Sequence, residues 1–468
     1  MKEILLELNS DEISKKIPLH TKVYIWSILF ESLLFFIIGS QTTTGVSMTV
    51  GKILQFVVFF LFLLRILLNK GTFRIVNFWH PYYRYFTYFF ILSVLAAIIG
   101  VFNGAYTLET KYSTEYADSI FASIIRSSSF RPFVEYLIVI YYFIYFIILP
   151  RFMIETPRAL AYFFNFFKKA YILCLGLGFL DIVLQLGNIY ILPRDMWEGR
   201  MVGFRFHGLA GEPRDAFVYI FYGFAVLNLR EYWLQGKLLS SKWFWVLIVA
   251  ALLTQSGSGL VGIVFGVVIY LLNVLGRFTF RKLLILLGVL ILSLGVIALS
   301  IYSSQRLQDY VDTFSTLYDI LESEQPIPLL IAPQMVNVFP IWDLYQKIIH
   351  GNIIPILIGS GYGSASVVNN NLGKGLWNEL TNPHSQLIRL FFECGIFGTY
   401  YFIKSILHPI KYMIEDMPNS TKQFFLLITI AILGLNLSHR STSIYIYLGV
   451  FIATYSIMQK FKSQGIKK

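Results

Sequence analysis

Charge is scarce in this chain: Asp, Glu, Lys and Arg make up 14% of its 468 residues. Cysteine is scarcer, with only Cys174 and Cys394, each inside an apolar run. That usage excludes a disulfide-stapled scaffold and a thiolate metal centre, and reads as two packed thiols. No HExxH, Walker A or paired CxxC pattern occurs, and no internal repeat or low-complexity run. The Asp-x-Asp pair is also missing, and residues 41–49 hold no carboxylate, so the acidic ligands of a metal-dependent sugar transferase are absent there. No metal ion or other cofactor is expected. The polar start MKEILLELNSDEISKKIPLHTK leads into an apolar run without a small-residue cleavage site, so no cleaved signal peptide is expected.

What is abundant is apolar surface. Hydrophobic residues are 56% of the chain and aromatics 17%, and the mean hydropathy is +0.65. A soluble domain of this size has too little interior to hide that much. The run LLILLGVLILSLGVIALSIY, 283–302, has no charge over the length a helix needs to cross a bilayer. Only helices or closed barrels satisfy their backbone groups in lipid, and these runs lack the strict alternation of a barrel strand. The reading is an all-α polytopic membrane protein with about twelve transmembrane helices. They are placed near 22–40, 50–68, 85–103, 133–153, 167–187, 215–233, 242–256, 259–276, 283–302, 386–407, 423–438 and 443–459. The small-residue break from Gln255 to Gly259 leaves 242–276 readable as two spans or as one kinked segment. The chain then divides into nine spans with short loops over 1–302, a large loop over 303–385, and three spans over 386–468.

The net charge is +12, but basic residues punctuate apolar runs instead of gathering on one polar face, which argues against nucleic acid and for topology. With both termini cytoplasmic, roughly 25 of the 38 Lys and Arg fall at inner ends. The inner ones are mostly lysine. The outer ones are mostly arginine, among them Arg126, Arg131, Arg194, Arg200, Arg205, Arg214, Arg306, Arg389 and Arg440. Insertion bias does not require arginine outside. Guanidinium, however, grips phosphate in a fork and stays charged when partly desolvated.

Two outer stretches concentrate chemistry. In RFHGLAGEPRDAF, 205–217, Gly208 and Gly211 permit a tight turn, Pro213 suits a first helical turn, and Asp215 lies near its positive end. Arg205, His207, Glu212 and Arg214 share that stretch. In NPHSQLIRLFFECGIFG, 382–398, Asn382 reads as an N-cap with Pro383 at the first helical position, which puts His384 in the first turn. The helix dipole there favours a neutral imidazole able to accept a proton. Arg389 and Glu393 are four apart and share a face, so pairing is expected, with a structural ion pair as the plain alternative to a functional one. His439 and Arg440 lie at another outer helix end. Within the large loop, QRLQDYVDTFSTLYDILESE has one apolar stripe at helical spacing and is expected to form an amphipathic helix, lying on the membrane face or packed in the loop. GSGYGS, 359–364, has a GxG pattern without the strand–helix unit of a dinucleotide site. Asp181 and Glu31, inside spans, read as proton-relay or hydrogen-bonded structural carboxylates.

At these motifs the chain resembles the bacterial O-antigen polymerase and ligase superfamily, known as Wzy and WaaL. The resemblance rests on the span count with a large late outer loop and on three motifs in order. Arg205-Phe-His-Gly-Leu-Ala-Gly-Glu212-Pro213 is similar to the Arg…Gly…Glu-Pro segment of these polymerases. TQSGSGL, 254–260, is similar to a Ser-Arg-Gly-type helix start, with Gly257 where the family often has arginine. Gly359-Ser-Gly-Tyr-Gly, then His384-Ser-Gln-Leu and Glu393-Cys-Gly-Ile-Phe-Gly, is similar to the family's His-Asn-x-x-Leu…Glu-x-Gly pattern, with Ser385 replacing asparagine. The motifs cover about 200 to 400.

The resemblance implies a GT-C-like transferase of the bacterial inner membrane with its site facing the periplasm or cell exterior. Its donor and acceptor would be oligosaccharides on undecaprenyl diphosphate, and a chain-length regulator would be a partner besides membrane lipids. Departing diphosphate needs cations aimed where its charge develops. Arg205, Arg214, Arg389, Arg440 and His207 are the expected diphosphate contacts. His384 and Glu212 are the expected bases, acting with inversion. A polymerase is the first reading, a ligase to lipid A core or another acceptor the second. A flippase is third, since cations here gather at outer ends and not at the midplane.

Overall fold

The computed structural model describes residues 17–34, 37–39, 48–69, 76–109, 127–189, 205–210, 213–274, 332–373 and 380–463, with isolated positions between them. In chain order the elements are α1 (Leu19–Ser32), a strand pair β1 (Ile37–Gly39) and β2 (Met48–Thr49), α2 (Val50–Asn69), α3 (Arg84–Phe102), α4 (Arg131–Met153) and α5 (Pro157–Gln185). Then follow α6 (Pro213–Gln235), α7 (Ser241–Thr254), α8 (Gly257–Val274), α9 (Ala332–Ile349), α10 (Ile354–Leu357) and α11 (Ala365–Leu372). The chain closes with α12 (Gln386–Met413), α13 (Asn419–Ser438) and α14 (Ser443–Ser463). Among the described residues the only pairing of strands is the short antiparallel β1–β2 ladder.

Four helices, α3, α4, α12 and α13, are long and apolar enough to cross a membrane. Shorter apolar helices cover Val50–Leu64, Ser241–Thr254 and Gly257–Tyr270. The protein is a helical membrane protein, and the count by length and composition is four among the described residues, against the twelve expected. The differences have separate causes. The run 283–302 lies almost wholly outside the described residues. The segment 22–40 is no single helix, because α1 stops at Ser32 and the chain enters β1. Helices α5 and α6 are long enough, but α5 carries Arg158, Lys168, Lys169 and Asp181, and α6 carries Arg214, Asp215, Arg230 and Glu231. Helix α6 buries Phe217, Val218, Tyr219, Ile220 and Tyr222, side chains on all its faces, so it stands inside the bundle.

The break within 242–276 is two helices. Gln255 adopts a left-handed conformation (φ 49°) that ends α7. Ser256 Oγ then accepts from the Gly259 amide at 3.2 Å and starts α8 as its cap. Beyond it, α8 and α13 pack at backbone distance: a Cβ on Gly434 would lie 2.2 Å from Gly262 O. Small residues permit this approach in place of a hydrophobic drive, which lipid does not supply.

Helix α12 bends at Gly395 (φ 66°, ψ −166°). The bend frees carbonyls, and the glycine-rich loop takes them: Ser360 N donates to Phe392 O at 2.7 Å and Gly361 N to Glu393 O at 3.4 Å. Gly359, Gly361 and Gly363 all have positive φ, and a Cβ on Gly359 would fall 2.1 Å from Glu393 O. GSGYG and ECGIFG are thus two halves of one joint.

Candidate functional site

The joint places Glu393 and Arg389 inside the protein, and α4 brings a second carboxylate to them. Glu135 sits one turn into α4, with 1% of its side chain exposed. Its Oε1 accepts from Arg131 Nη2 at 2.7 Å and from Asn382 Nδ2 at 2.9 Å. Its Oε2 accepts from Arg389 Nη2 at 2.7 Å and from Arg440 Nη2 at 3.4 Å. A carboxylate has about four acceptor positions, and these partners occupy them. Arg389, 2% exposed, turns its Nε to Glu393 Oε2 at 3.2 Å, and the Tyr362 ring faces its guanidinium with the centroid 6.0 Å away. Glu393 Oε1 also accepts from the Ala365 amide at the start of α11, at 3.4 Å.

Three guanidiniums therefore face two carboxylates. Arg389 is consumed inside the cluster. Arg440, 28% exposed, is the member at its edge, and the formal excess of one positive charge is presented there.

Arg440 also joins the two informative stretches. Its backbone amide donates to His384 O at 3.4 Å, and the preceding His439 donates through Nε2 to Asp215 Oδ1 at 2.7 Å. Asp215 lies in the first turn of α6, next to Arg214. The α13–α14 connection thus touches the start of α6 on one side and the segment before α12 on the other. His439 Nδ1 is buried without a hydrogen-bond partner.

The expected cap of α12 is corrected. Ser385, in extended conformation, is the N-cap, accepting from Ile388 N at 3.4 Å, and the helix begins at Gln386. Asn382 is drawn away by Glu135. His384 therefore precedes the cap instead of occupying the first turn, and the dipole argument for its neutral form loses its geometry. Ser385 Oγ donates to Leu437 O at 3.0 Å, and its amide donates to Asn337 Oδ1 at 2.9 Å, so the segment beside His384 is tied to α13 and α9.

The remaining expected residues are elsewhere. Arg205 crosses the end of α7, where its Nε donates to Thr254 O at 3.0 Å and its Nη2 to Gln255 O at 2.7 Å, satisfying carbonyls a helix end leaves free. Gln185 holds the Arg205 backbone and also donates to Asp181 Oδ2 at 2.6 Å. His207 is buried, with 3% exposure. Glu31 accepts from Gln55 at 3.2 Å. Glu212, Arg194, Arg200, Arg126 and Arg306 lie outside the described residues, as does most of the amphipathic stretch 305–324.

Sequence reasoning passed over Glu135. The signal was available: Arg131 and Glu135 have the same four-residue spacing as Arg389 and Glu393, and a glutamate inside an apolar span demands a partner. Which partner it finds, 254 positions away, no spacing rule specifies. Among the described residues no three His, Cys, Asp or Glu side chains gather closely enough to hold a metal ion. Comparison of the chain with protein-family models and with curated proteins returned no match.

Proposed function

We propose that this protein is a membrane glycosyltransferase that joins oligosaccharides carried on undecaprenyl diphosphate, building a polysaccharide outside the bacterial inner membrane. In this reading the chain has the twelve-span, GT-C-like plan, and the site faces the periplasm or cell exterior. The observation that supports it most is the excess positive charge at Arg440, at the edge of a buried ionic cluster and bonded through its backbone to the His384 segment. A sugar hydroxyl attacks the anomeric carbon of the donor. The bond to the lipid diphosphate breaks, and its electron pair leaves with the phosphate. Arg440, with Arg214 from the neighbouring stretch, receives that charge, while Glu135 and Glu393 hold Arg389 as the fixed centre behind it. His384 accepts the hydroxyl proton, and Glu212 is the second base. Attack opposite the leaving group inverts the anomeric centre. The partners are the lipid-linked donor and acceptor, the surrounding lipids and a chain-length regulator.

The test is reconstitution of the purified protein with lipid-linked repeat units alone. A ladder of products is expected. Arg440→Gln and His384→Ala are each expected to reduce it by roughly 10²-fold or more, with Arg440→Lys recovering part of the loss. Growth only after a separate acceptor is added replaces polymerisation by ligation. No transfer with either acceptor, from protein that elutes and melts normally, removes the enzymatic reading.

A further inference from the structure

A second gathering of cations lies at the other end of α12. Arg84, the first residue of α3, donates through Nη2 to His408 Nε2 at 3.5 Å, and its guanidinium carbon is 5.2 Å from the Tyr85 ring centroid. The His408 ring packs edge-on against Tyr85 at 4.7 Å. Lys404, one turn before His408, lies 5.5 Å from the Tyr400 ring. The charges acting on His408 come from Arg84, Lys404 and Lys411, all positive. Among the described residues no carboxylate pairs with Arg84, Lys404 or His408, and Arg84 Nε is buried without a hydrogen-bond partner. Like charges held together at short range repel, and an anion from outside the chain offsets that.

The position selects the anion. Arg389 lies in the first turn of α12 and His408 in its last turns, on either side of the bend at Gly395, so where α12 crosses the membrane these cations stand towards the opposite headgroup layer. Trp79, Tyr400 and Tyr412 are exposed there, as aromatic side chains are at membrane interfaces. Between α3 and α4 runs an open apolar groove of about 450 Å³, lined by Phe78, Thr87, Ile91, Val94, Tyr136 and Ile144 among others. Its lining includes Thr87, one turn from Arg84.

We infer that this end of the bundle binds an anionic phospholipid, its phosphate held by Arg84 and Lys404 beside His408 and one acyl chain lying in the α3–α4 groove. The inference stands apart from the proposed transferase activity. The test is native mass spectrometry of the full chain in zwitterionic detergent, titrated with phosphatidylglycerol or phosphatidylcholine of the same chains. Phosphatidylglycerol is expected to be retained roughly tenfold or more in preference, since cations near the surface favour an anionic headgroup over a zwitterionic one. Arg84→Gln combined with Lys404→Gln abolishes the preference. Lys404→Gln alone, should the pair misfold, weakens it severalfold. Val94→Trp, which fills the groove, lowers retention of both lipids. Equal retention of the two lipids by the unaltered protein overturns the inference. So does a preference that survives in folded variants, or displacement of phosphatidylglycerol by inorganic phosphate at matched concentration, which assigns the cations to free anions.

Discussion

Glu135 pairs with three guanidiniums, those of Arg131, Arg389 and Arg440. Removing one partner of a buried ion pair leaves an uncompensated charge, at a cost of about 3–5 kcal/mol. Glu135→Gln leaves Arg389 with Glu393 alone and releases Arg131 and Arg440. The expected outcome is a sharp fall in thermal stability in detergent, read by fluorescence-detected size exclusion. An unchanged melting curve contradicts the described network. His80 tests a second residue-scale argument. Its Nδ1 accepts from the Tyr82 amide at 3.3 Å, and burial, followed by the charge of Arg151, holds the ring below its ordinary value of 6.5. Above that value the ring is neutral whether the chain is folded or not, so it adds no pH dependence. Below it the unfolded chain takes up a proton that the folded one resists, and stability falls until the folded ring protonates too. Melting temperature is expected to drop between about pH 7 and pH 5, and to drop less in His80→Gln.

At the scale of elements, the informative feature is the joint between the glycine-rich loop and the bend of α12. Gly395 has positive φ, and a Cβ there would lie 2.4 Å from the backbone of Leu357. Gly395→Ala therefore strains both the helix and the loop, and the cost is expected to exceed about 1 kcal/mol. Because Glu393 sits beside the bend, the variant should also displace Arg389. Loss of both expression and transfer activity is expected, and normal yield with normal activity refutes the coupling. The GxG pattern was legible as a pattern without the strand–helix unit of a dinucleotide site. Its use was not, since the carbonyls it meets belong to a helix more than thirty residues further on. The start of α6 at Pro213 was legible because a proline and an aspartate mark a first turn locally. The start of α12 was misread by three residues because Asn382, an acceptable cap on its own, is claimed by a glutamate from α4.

At the scale of the molecule, α12 and α13 are antiparallel neighbours joined by a short turn near Glu415, and α13 returns to the connection holding His439 and Arg440. If both cross the membrane, those two connections lie on opposite sides of it. The native thiols are buried, so they should not interfere with labelling. Glu415→Cys and Thr442→Cys, placed singly, are expected to react with an impermeant maleimide from opposite faces of sealed vesicles. Labelling from the same face refutes the crossing of one of the two helices.

Composition and run length by themselves determined that this is a helical membrane protein, because burying backbone polar groups in lipid leaves long apolar helices few alternatives. They also marked which connections carry the rare charges, since a charge in an apolar chain persists only where something compensates it. Tertiary structure alone decided the compensation: that Glu135 gathers Arg131, Arg389 and Arg440, that Arg205 closes the end of α7, and that His439 reaches Asp215. Electrostatic pairing depends on distance in space and is indifferent to distance along the chain, so no reading of local spacing fixes which charges meet.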